Sequence, residues 1–248
     1  MRIVIAGGHG RVALILQRML AERGDSVAGI IRKASQADDL VSVGSQPLMA
    51  DLVTATVQDI TELVRGADAV VFAAAAGAGT AAEHKQAVDR DGALRLADAA
   101  EAAGVSRYLI VSSMGADTRA VDGAMDPEFR AYLRQNDPHN GQDEHGSSPL
   151  FGAYLRAKGA ADEALRERSA LNVTILRPGL LSDNRGTGRV LMAPTVGAGS
   201  VPRQDVAAVL VSLLDTPESG GLTVELISGD TPIAQAVTAL EQFKPKRS

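Results

Sequence analysis

The 248-residue sequence has no cysteine and no tryptophan, and only three tyrosines and four phenylalanines. Without cysteine, a disulfide framework, a thiolate metal site and a cysteine nucleophile are all excluded. The four histidines, His9, His84, His139 and His145, include no His-x-x-x-His pair that would set two ligands on one helix face, so no metal is expected. An aromatic content of 3% offers no aromatic anchor for a large permanent interface, which points to a monomer or a weak homodimer. Basic residues are in the minority, 25 against 30 acidic for a net charge of -5, so an extended nucleic-acid surface is not expected either. Long hydrophobic runs are missing too: the most apolar later window, 67–82, is rich in alanine and glycine and shorter than a membrane span. The N-terminus passes from Met1-Arg2 through Ile3-Val4-Ile5 to glycine, without the longer apolar stretch and cleavage site of a secretory signal. These absences lead to the expectation of a cytoplasmic protein that acts on a small-molecule substrate and engages neither nucleic acid nor membrane.

What is present is enough apolar material, 45% of residues, to bury one substantial core. Short β-branched runs alternate with alanine- and leucine-rich stretches, the βαβα rhythm of a parallel sheet covered on both faces. Burial on both faces also explains why the runs do not alternate polar with apolar. The pattern predicts strands over 2–6, 26–31, 46–49, 69–73, 108–112 and 172–176, and helices over 11–23, 56–64, 82–103, 153–168 and 203–214. A further strand is predicted over 222–227 and a helix over 232–243, with Thr231 as its cap and Pro232 in its first position. The polar stretch 115–151, with Asp126-Pro127, Asp137-Pro138 and Asn140-Gly141, breaks the rhythm and reads as an inserted surface loop with one helical candidate, 126–134. The expected fold class is α/β, a doubly wound parallel sheet with helices on both faces in one domain over 1–243, with a small C-terminal substrate region and a flexible tail at 244–248.

The first strand feeds Gly7-Gly8-His9-Gly10-Arg11-Val12-Ala13 and a helix begins at once. Gly7 permits the tight turn, Gly10 lets backbone approach a pyrophosphate, and Ala13 lets helix pack on strand, while the free N–H groups of the helix start face the anion. The second strand ends in Arg32-Lys33, where a protein selective for a free ribose 2′-hydroxyl carries an acid. A basic pair there favours a 2′-phosphate, with Arg32 offering a planar fork, Lys33 a point charge and Arg11 an addition to the same patch. NADP(H) is therefore the expected cofactor.

Tyr154 and Lys158 stand four residues apart on a predicted helix and so share a face. An ammonium beside a phenol favours the phenolate, which would bring the tyrosine pKa down toward working pH and make it a usable acid or base. Ser112 and Ser113 follow a strand at the carboxyl edge, where open α/β sheets bind ligands, so one of the two hydroxyls can reach a substrate carbonyl.

The order Gly-Gly-His-Gly-Arg-Val-Ala, Arg32, Ser112-Ser113, Tyr154-x-x-x-Lys158 and Arg177-Pro178-Gly179 resembles the atypical short-chain dehydrogenase/reductase family, of the NAD(P)-binding, NmrA-like and flavin-reductase-like kind. The likeness runs from Met1 to about Phe243, with 115–151 as its main departure. It implies a Rossmann fold in which Gly7, Gly8, His9, Gly10, Arg11, Val12, Arg32 and Lys33 hold the phosphates. It further implies that Asp51 and Leu52 contact the adenine, Ala73, Ala74 and Ala75 pack on the adenosine half, Pro178 borders the nicotinamide, and Lys158 also holds the nicotinamide ribose. Arg203, Asp205 and Val206 resemble a segment that opens a structural helix, and no chemistry is assigned to them. The implied function is an NADPH-dependent reductase of a carbonyl, quinone, flavin or similar acceptor, with Ser113, Tyr154 and Lys158 as the catalytic set. The alternatives are a non-catalytic NADP(H)-sensing module that binds a protein partner and, with the short C-terminal region against it, a sugar-nucleotide epimerase or dehydratase.

Overall fold

The run Ile3-Val4-Ile5-Ala6 is fully buried in β1 (Arg2–Ala6), as β-branched residues covered on both faces of a sheet should be. In the computed structural model, which describes residues 1–77, 80–118 and 149–244 together with Glu128, Ala131, Tyr132 and Gln135, this strand lies near the middle of the sheet. The other strands are β2 (Ser26–Ile31), β3 (Gln46–Met49), β4 (Ala69–Phe72), β5 (Arg107–Val111), β6 (Asn172–Pro178), β7 (Leu180–Ser182), β8 (Arg189–Ala193), β9 (Ser200–Pro202), β10 (Thr223–Ser228) and β11 (Thr231–Pro232). Among the described residues nine of them form one sheet in the order β11-β8-β10-β6-β5-β4-β1-β2-β3, and β7 pairs with β9 in a small parallel sheet. From β3 to β10 every neighbouring pair is parallel, while β8 runs antiparallel to β10 and to β11. The chain builds outward from β1 through β2 to β3, then returns to β4 on the other side. That reversal opens a crevice at the carboxyl ends of β1 and β4.

Helices cover both faces. On one, α1 (Arg11–Glu22), α7 (Arg203–Leu214) and α8 (Ile233–Thr238) bury Leu16, Leu20, Val209, Leu213 and Val237 against Ile3, Ile5 and Val71. On the other, α3 (Val57–Val64), α5 (Ala93–Ala103) and α6 (Pro149–Arg166) bury Ile60, Leu96 and Leu165 against Val4, Val70, Phe72 and Tyr108. Each fully buried leucine or isoleucine contributes about 1.5–3 kcal/mol of transfer free energy, so the two layers hold the crevice on a stiff platform. Among the described residues no helix is long and apolar enough to cross a membrane.

The predicted elements recur with four differences. The helix expected over 82–103 is interrupted: α4 (Ala82–Lys85) passes into a π-helical turn, Gln86–Gly92, before α5 begins. The turn carries Asp89 into the interior, and such an insertion leaves no trace in a 3.6-residue apolar pattern. The helix that bears Tyr154 starts at Pro149, so residues 149–151 belong to it rather than to the loop, with proline at the first helical position. Thr231, expected as a cap, pairs with Val190 in β11, and Pro232 flanks α8 without a side-chain cap bond. Residues 34–42 and 180–202, given no elements by the pattern, hold a 3₁₀ turn with the short α2 (Ala37–Ser42) and strands β7, β8 and β9, each too brief to show a period. Most of the 115–151 loop, including the helical candidate 126–134 apart from Glu128, Ala131 and Tyr132, and the tail 245–248 lie outside the described residues.

Candidate functional site

At the carboxyl end of β1 the chain turns through Gly7, whose φ of 81° is the left-handed conformation that glycine adopts without strain. A methyl group on Gly7 would come within 2.5 Å of the Ala74 backbone, so the turn also brings the loops after β1 and β4 together. The Gly10 N–H donates to Gly7 O at 2.9 Å, and Gly10 caps α1 with extended backbone and no side-chain hydrogen bond. The first-turn N–H groups of α1, including that of Val12, are thereby left for an external acceptor. The Val12 side chain itself is buried in the core. Gln17, fully buried, fixes the turn from beneath: its Nε2 donates to Gly8 O at 2.6 Å, and its Oε1 accepts from Ser45 Oγ at 2.6 Å.

A cleft of about 220 Å³ opens beside this turn, lined by Gly7, His9, Gly10, Arg32, Asp51, Leu52, Ala73, Ala74 and Ala75, with His84 and Val88 beyond them. Nine of the residues read from the sequence as cofactor contacts thus share one wall. Arg32 is exposed at the rim and makes no ion pair among the described residues, so its five N–H donors are available to an anion. His9 is tied through Nε2 to Asp39 Oδ2 at 2.7 Å. Asp51, which lines the cleft, accepts from Val53 N on Oδ1 at 2.9 Å. Lys33, exposed, and Arg11 do not line the cleft; the Arg11 guanidinium instead contacts Asp183, past β7. A glycine cradle with no room for a methyl group, a helix start with unclaimed donors and a guanidinium at the rim fit the phosphates of a dinucleotide.

The second group of predicted residues lies at the carboxyl ends of β5 and β6. Ser112 and Ser113 follow β5 but face different surroundings. Ser112 is buried and donates to Asp162 Oδ2 at 2.8 Å, whereas the half-buried Ser113 donates to Met114 O at 3.1 Å and lies near enough to the Tyr154 phenol to pull its pKa down. Despite the 41 positions between them in sequence, Ser113 and Tyr154 meet. Gly159 is one reason, because α6 crosses so close to the strand β5 loop that a Cβ there would lie 2.5 Å from the Asp117 backbone. Pro178, buried at the end of β6, accepts from Met114 N at 3.0 Å and closes the same region.

Lys158 is 1% exposed, and its Nζ has three partners in the protein: Asp89 Oδ1 at 3.2 Å, Ala74 O at 3.1 Å and Val111 O at 3.1 Å. Its ammonium also lies 5.2 Å from the Phe72 ring centre and 5.9 Å from that of Tyr154. Burial opposes the lysine charge, but Asp89, Tyr154 and Asp162 outweigh it and raise the Lys158 pKa above the ordinary value. The Tyr154 phenol does not come down toward working pH as the Tyr-x-x-x-Lys spacing suggests. Desolvation raises its pKa, Lys158 and Ser113 pull against that, and Asp89 and Asp162 restore it, so the net direction is upward. The phenol is therefore held protonated.

Sequence reasoning did not find three further residues. Asp89 sits on the π-helical turn, 0% exposed, and its Oδ2 accepts from Ala76 N at 3.2 Å, joining Lys158 to the cleft wall. Asp162, fully buried, takes both Ser112 and Arg177 on Oδ2 at 2.8 Å; burial raises its pKa against the pull of Arg177 and Ser112. Its signal was present, since Tyr154, Lys158 and Asp162 repeat every four residues along one helix face. Lys85, 4% exposed, donates to Gly77 O at 2.9 Å and stands 5.9 Å from the Tyr154 ring centre; burial lowers its pKa while Asp89 opposes. Among the described residues no group of three or more histidine, aspartate or glutamate side chains is placed to hold a metal ion.

The family described as NAD(P)H-binding matches residues 7–217 of this chain. The Bacillus subtilis protein named Uncharacterized sugar epimerase YhfK is 30% identical over 241 residues, covering 97% of this chain and 100% of its own. A structure from Bacillus halodurans, provisionally described as an NAD-dependent epimerase/dehydratase, is 32% identical with a TM-score of 0.78, covering 97% of this chain and 100% of that one. The oxidoreductase ylbE from Lactococcus lactis is 25% identical with a TM-score of 0.76, and both chains are covered in full.

Proposed function

The chain belongs to the NAD(P)H-binding family, consistent with an atypical short-chain dehydrogenase/reductase, and from that premise we propose that it is an NADP(H)-dependent reductase of a carbonyl, quinone, flavin or comparable small acceptor. The observation that carries the proposal is the placement of the Tyr154 phenol beside Ser113, with the Lys158 ammonium 5.9 Å from its ring centre. A phenol that is protonated at working pH has a proton to give, reduction of an acceptor needs a proton donor, and the Lys158 ammonium beside the ring stabilises the phenolate left behind. The bound cofactor supplies the hydride, and the protein supplies position and charge. The Gly7-Gly8-His9-Gly10 turn and the Val12 N–H hold the diphosphate, Arg32 takes the 2′-phosphate, and Asp51, Leu52, Ala73, Ala74 and Ala75 line the adenosine half. Ser113 orients the acceptor oxygen, Tyr154 gives it a proton, and Lys158, anchored by Asp89, keeps a positive charge under the phenol.

Sugar-nucleotide epimerisation is a second reading, favoured by the name of the Bacillus subtilis relative. It needs Tyr154 to abstract a proton at the start of the cycle, against the direction of its pKa shift.

Calorimetric titration with NADPH and NADH, on the wild type and on Arg32→Ala, tests the cofactor assignment. The expected result is NADPH binding about tenfold or more tighter than NADH, with the gap closed by the substitution, as loss of one bidentate phosphate contact requires. Binding of neither nucleotide overturns the proposal. Reduction of a quinone or flavin acceptor by NADPH then separates a reductase from an epimerase, which consumes no net cofactor.

A further inference from the structure

Asp183, the residue after β7, sets one carboxylate oxygen on each of two arginines. Its Oδ1 accepts from Arg203 Nη1 and its Oδ2 from Arg11 Nη1, both at 2.6 Å. The two guanidiniums come from different elements, Arg11 opening α1 and Arg203 opening α7. The Arg203 side chain is 13% exposed, whereas those of Arg11 and Asp183 are each 65% exposed. Burial lowers the Arg203 pKa and the Arg11 charge lowers it further, with Asp183 opposing. Two cations are therefore held together against one anion, and the exposed Arg185 follows Asp183 by two residues. Two rigid donor forks converging on one carboxylate make a seat for an oxyanion. The carboxylate now in it is on an exposed loop, where an ion pair is weak and easily exchanged.

Neither arginine lines the nucleotide cleft, and neither does Asp183. Asp183 lies three positions beyond Leu180, which packs in the same cluster as Tyr154. Three residues of extended chain span about 10 Å, so Asp183 lies within that reach of Leu180, a member of the cluster that holds Tyr154. We infer that Arg11 and Arg203 form a second anion site, which takes the carboxylate or phosphate group of a substrate whose reacting end lies at Tyr154, with Asp183 holding the seat until that group displaces it. Which end of the substrate reacts rests on the reductase reading; the anion seat does not.

The test is a calorimetric titration of the full chain with inorganic phosphate, and in a parallel arm with malonate, with and without saturating NADPH. Wild type, Asp183→Asn and the double variant Asp183→Asn/Arg203→Gln are compared, each checked for folding by its thermal transition. With NADPH present, Asp183→Asn is expected to bind one of the two probes about tenfold tighter than wild type, the gain of one freed charge-assisted site, and the double variant is expected to lose that binding. The tighter probe names the group. If Asp183→Asn binds neither probe more tightly, or if NADPH abolishes the binding because its own diphosphate uses the arginines, the inference is overturned. Should NADPH itself fail to bind while Asp183→Asn still gains phosphate or malonate through Arg203, the anion seat stands and the reductase proposal falls.

Discussion

Lys158 Nζ lies 3.2 Å from Asp89 Oδ1, and neither side chain is reached by solvent. A buried pair of this kind is worth little against a well-packed apolar replacement but is costly to break on one side, because the remaining charge is stranded. Lys158→Met and Asp89→Leu are each expected to destabilise the protein by about 3–5 kcal/mol, and the double variant by less than the sum of the two. The lysine pKa is raised in the folded state, so the stabilisation it supplies is complete below its unfolded value and is lost as pH rises through the folded one. Urea midpoints should therefore separate wild type from Lys158→Met at neutral pH and converge in strong alkali. Equal midpoints at neutral pH would remove the pair from any supporting role.

Tyr154 is held protonated, so the phenolate absorbance it contributes should emerge only above the ordinary tyrosine range, of about pH 10. The difference titration between wild type and Tyr154→Phe isolates it from Tyr108 and Tyr132. The same variant should cut reductase turnover by about 10²–10⁴-fold while leaving NADPH affinity unchanged, the signature of a lost proton donor. Full turnover in Tyr154→Phe would eliminate the tyrosine from the chemistry.

The sheet and the glycine turn were legible in the sequence because both are local. Ile3-Val4-Ile5 reads as a buried strand, and Gly7 and Gly10 are small for reasons of turn geometry and close approach. The serine, tyrosine and lysine were legible as residue types, but what surrounds them was not. Asp89 reaches Lys158 only because the helix bearing it takes a π-helical turn, a backbone choice with no compositional mark. The direction of the Tyr154 shift was misread from spacing alone, since the Tyr-x-x-x-Lys pair reports the neighbouring charge and not the desolvation that outweighs it. Arg11 was read as part of the 2′-phosphate patch with Arg32. Its partner Asp183 is 172 residues away in sequence, beyond the reach of any periodicity.

Gly159 provides a steric test of how α6 positions the site. A methyl group there meets the Asp117 backbone at 2.5 Å, and backbone cannot move aside as a flexible side chain would. Gly159→Ala is expected to destabilise the fold by about 1–3 kcal/mol despite the better helix propensity of alanine. Because the displaced helix carries Tyr154, turnover should fall further than stability alone predicts, measured at a temperature where the variant is fully folded. A variant as stable and active as wild type would mean that the contact between α6 and the loop after β5 is slack.

Adjacent serines give the sharpest separation of structure from chemistry. Ser112 is buried and donates to Asp162, whose other oxygen accepts no hydrogen bond among the described residues. Ser112→Ala removes one of the donors that hold this buried carboxylate against desolvation, so it should lower stability by about 1–3 kcal/mol. Ser113 is half-buried and its hydroxyl donates to Met114 O among the described residues, so Ser113→Ala should change stability by no more than about 0.5 kcal/mol. Its effect belongs in the rate: losing the donor that orients the acceptor oxygen should reduce kcat by about tenfold to a hundredfold with little change in NADPH affinity. Denaturation curves and steady-state rates on the two variants should therefore cross, one losing stability and the other turnover. The opposite pattern would transfer the substrate-facing role to Ser112 and require Asp162, not Tyr154, to be its partner in the reaction.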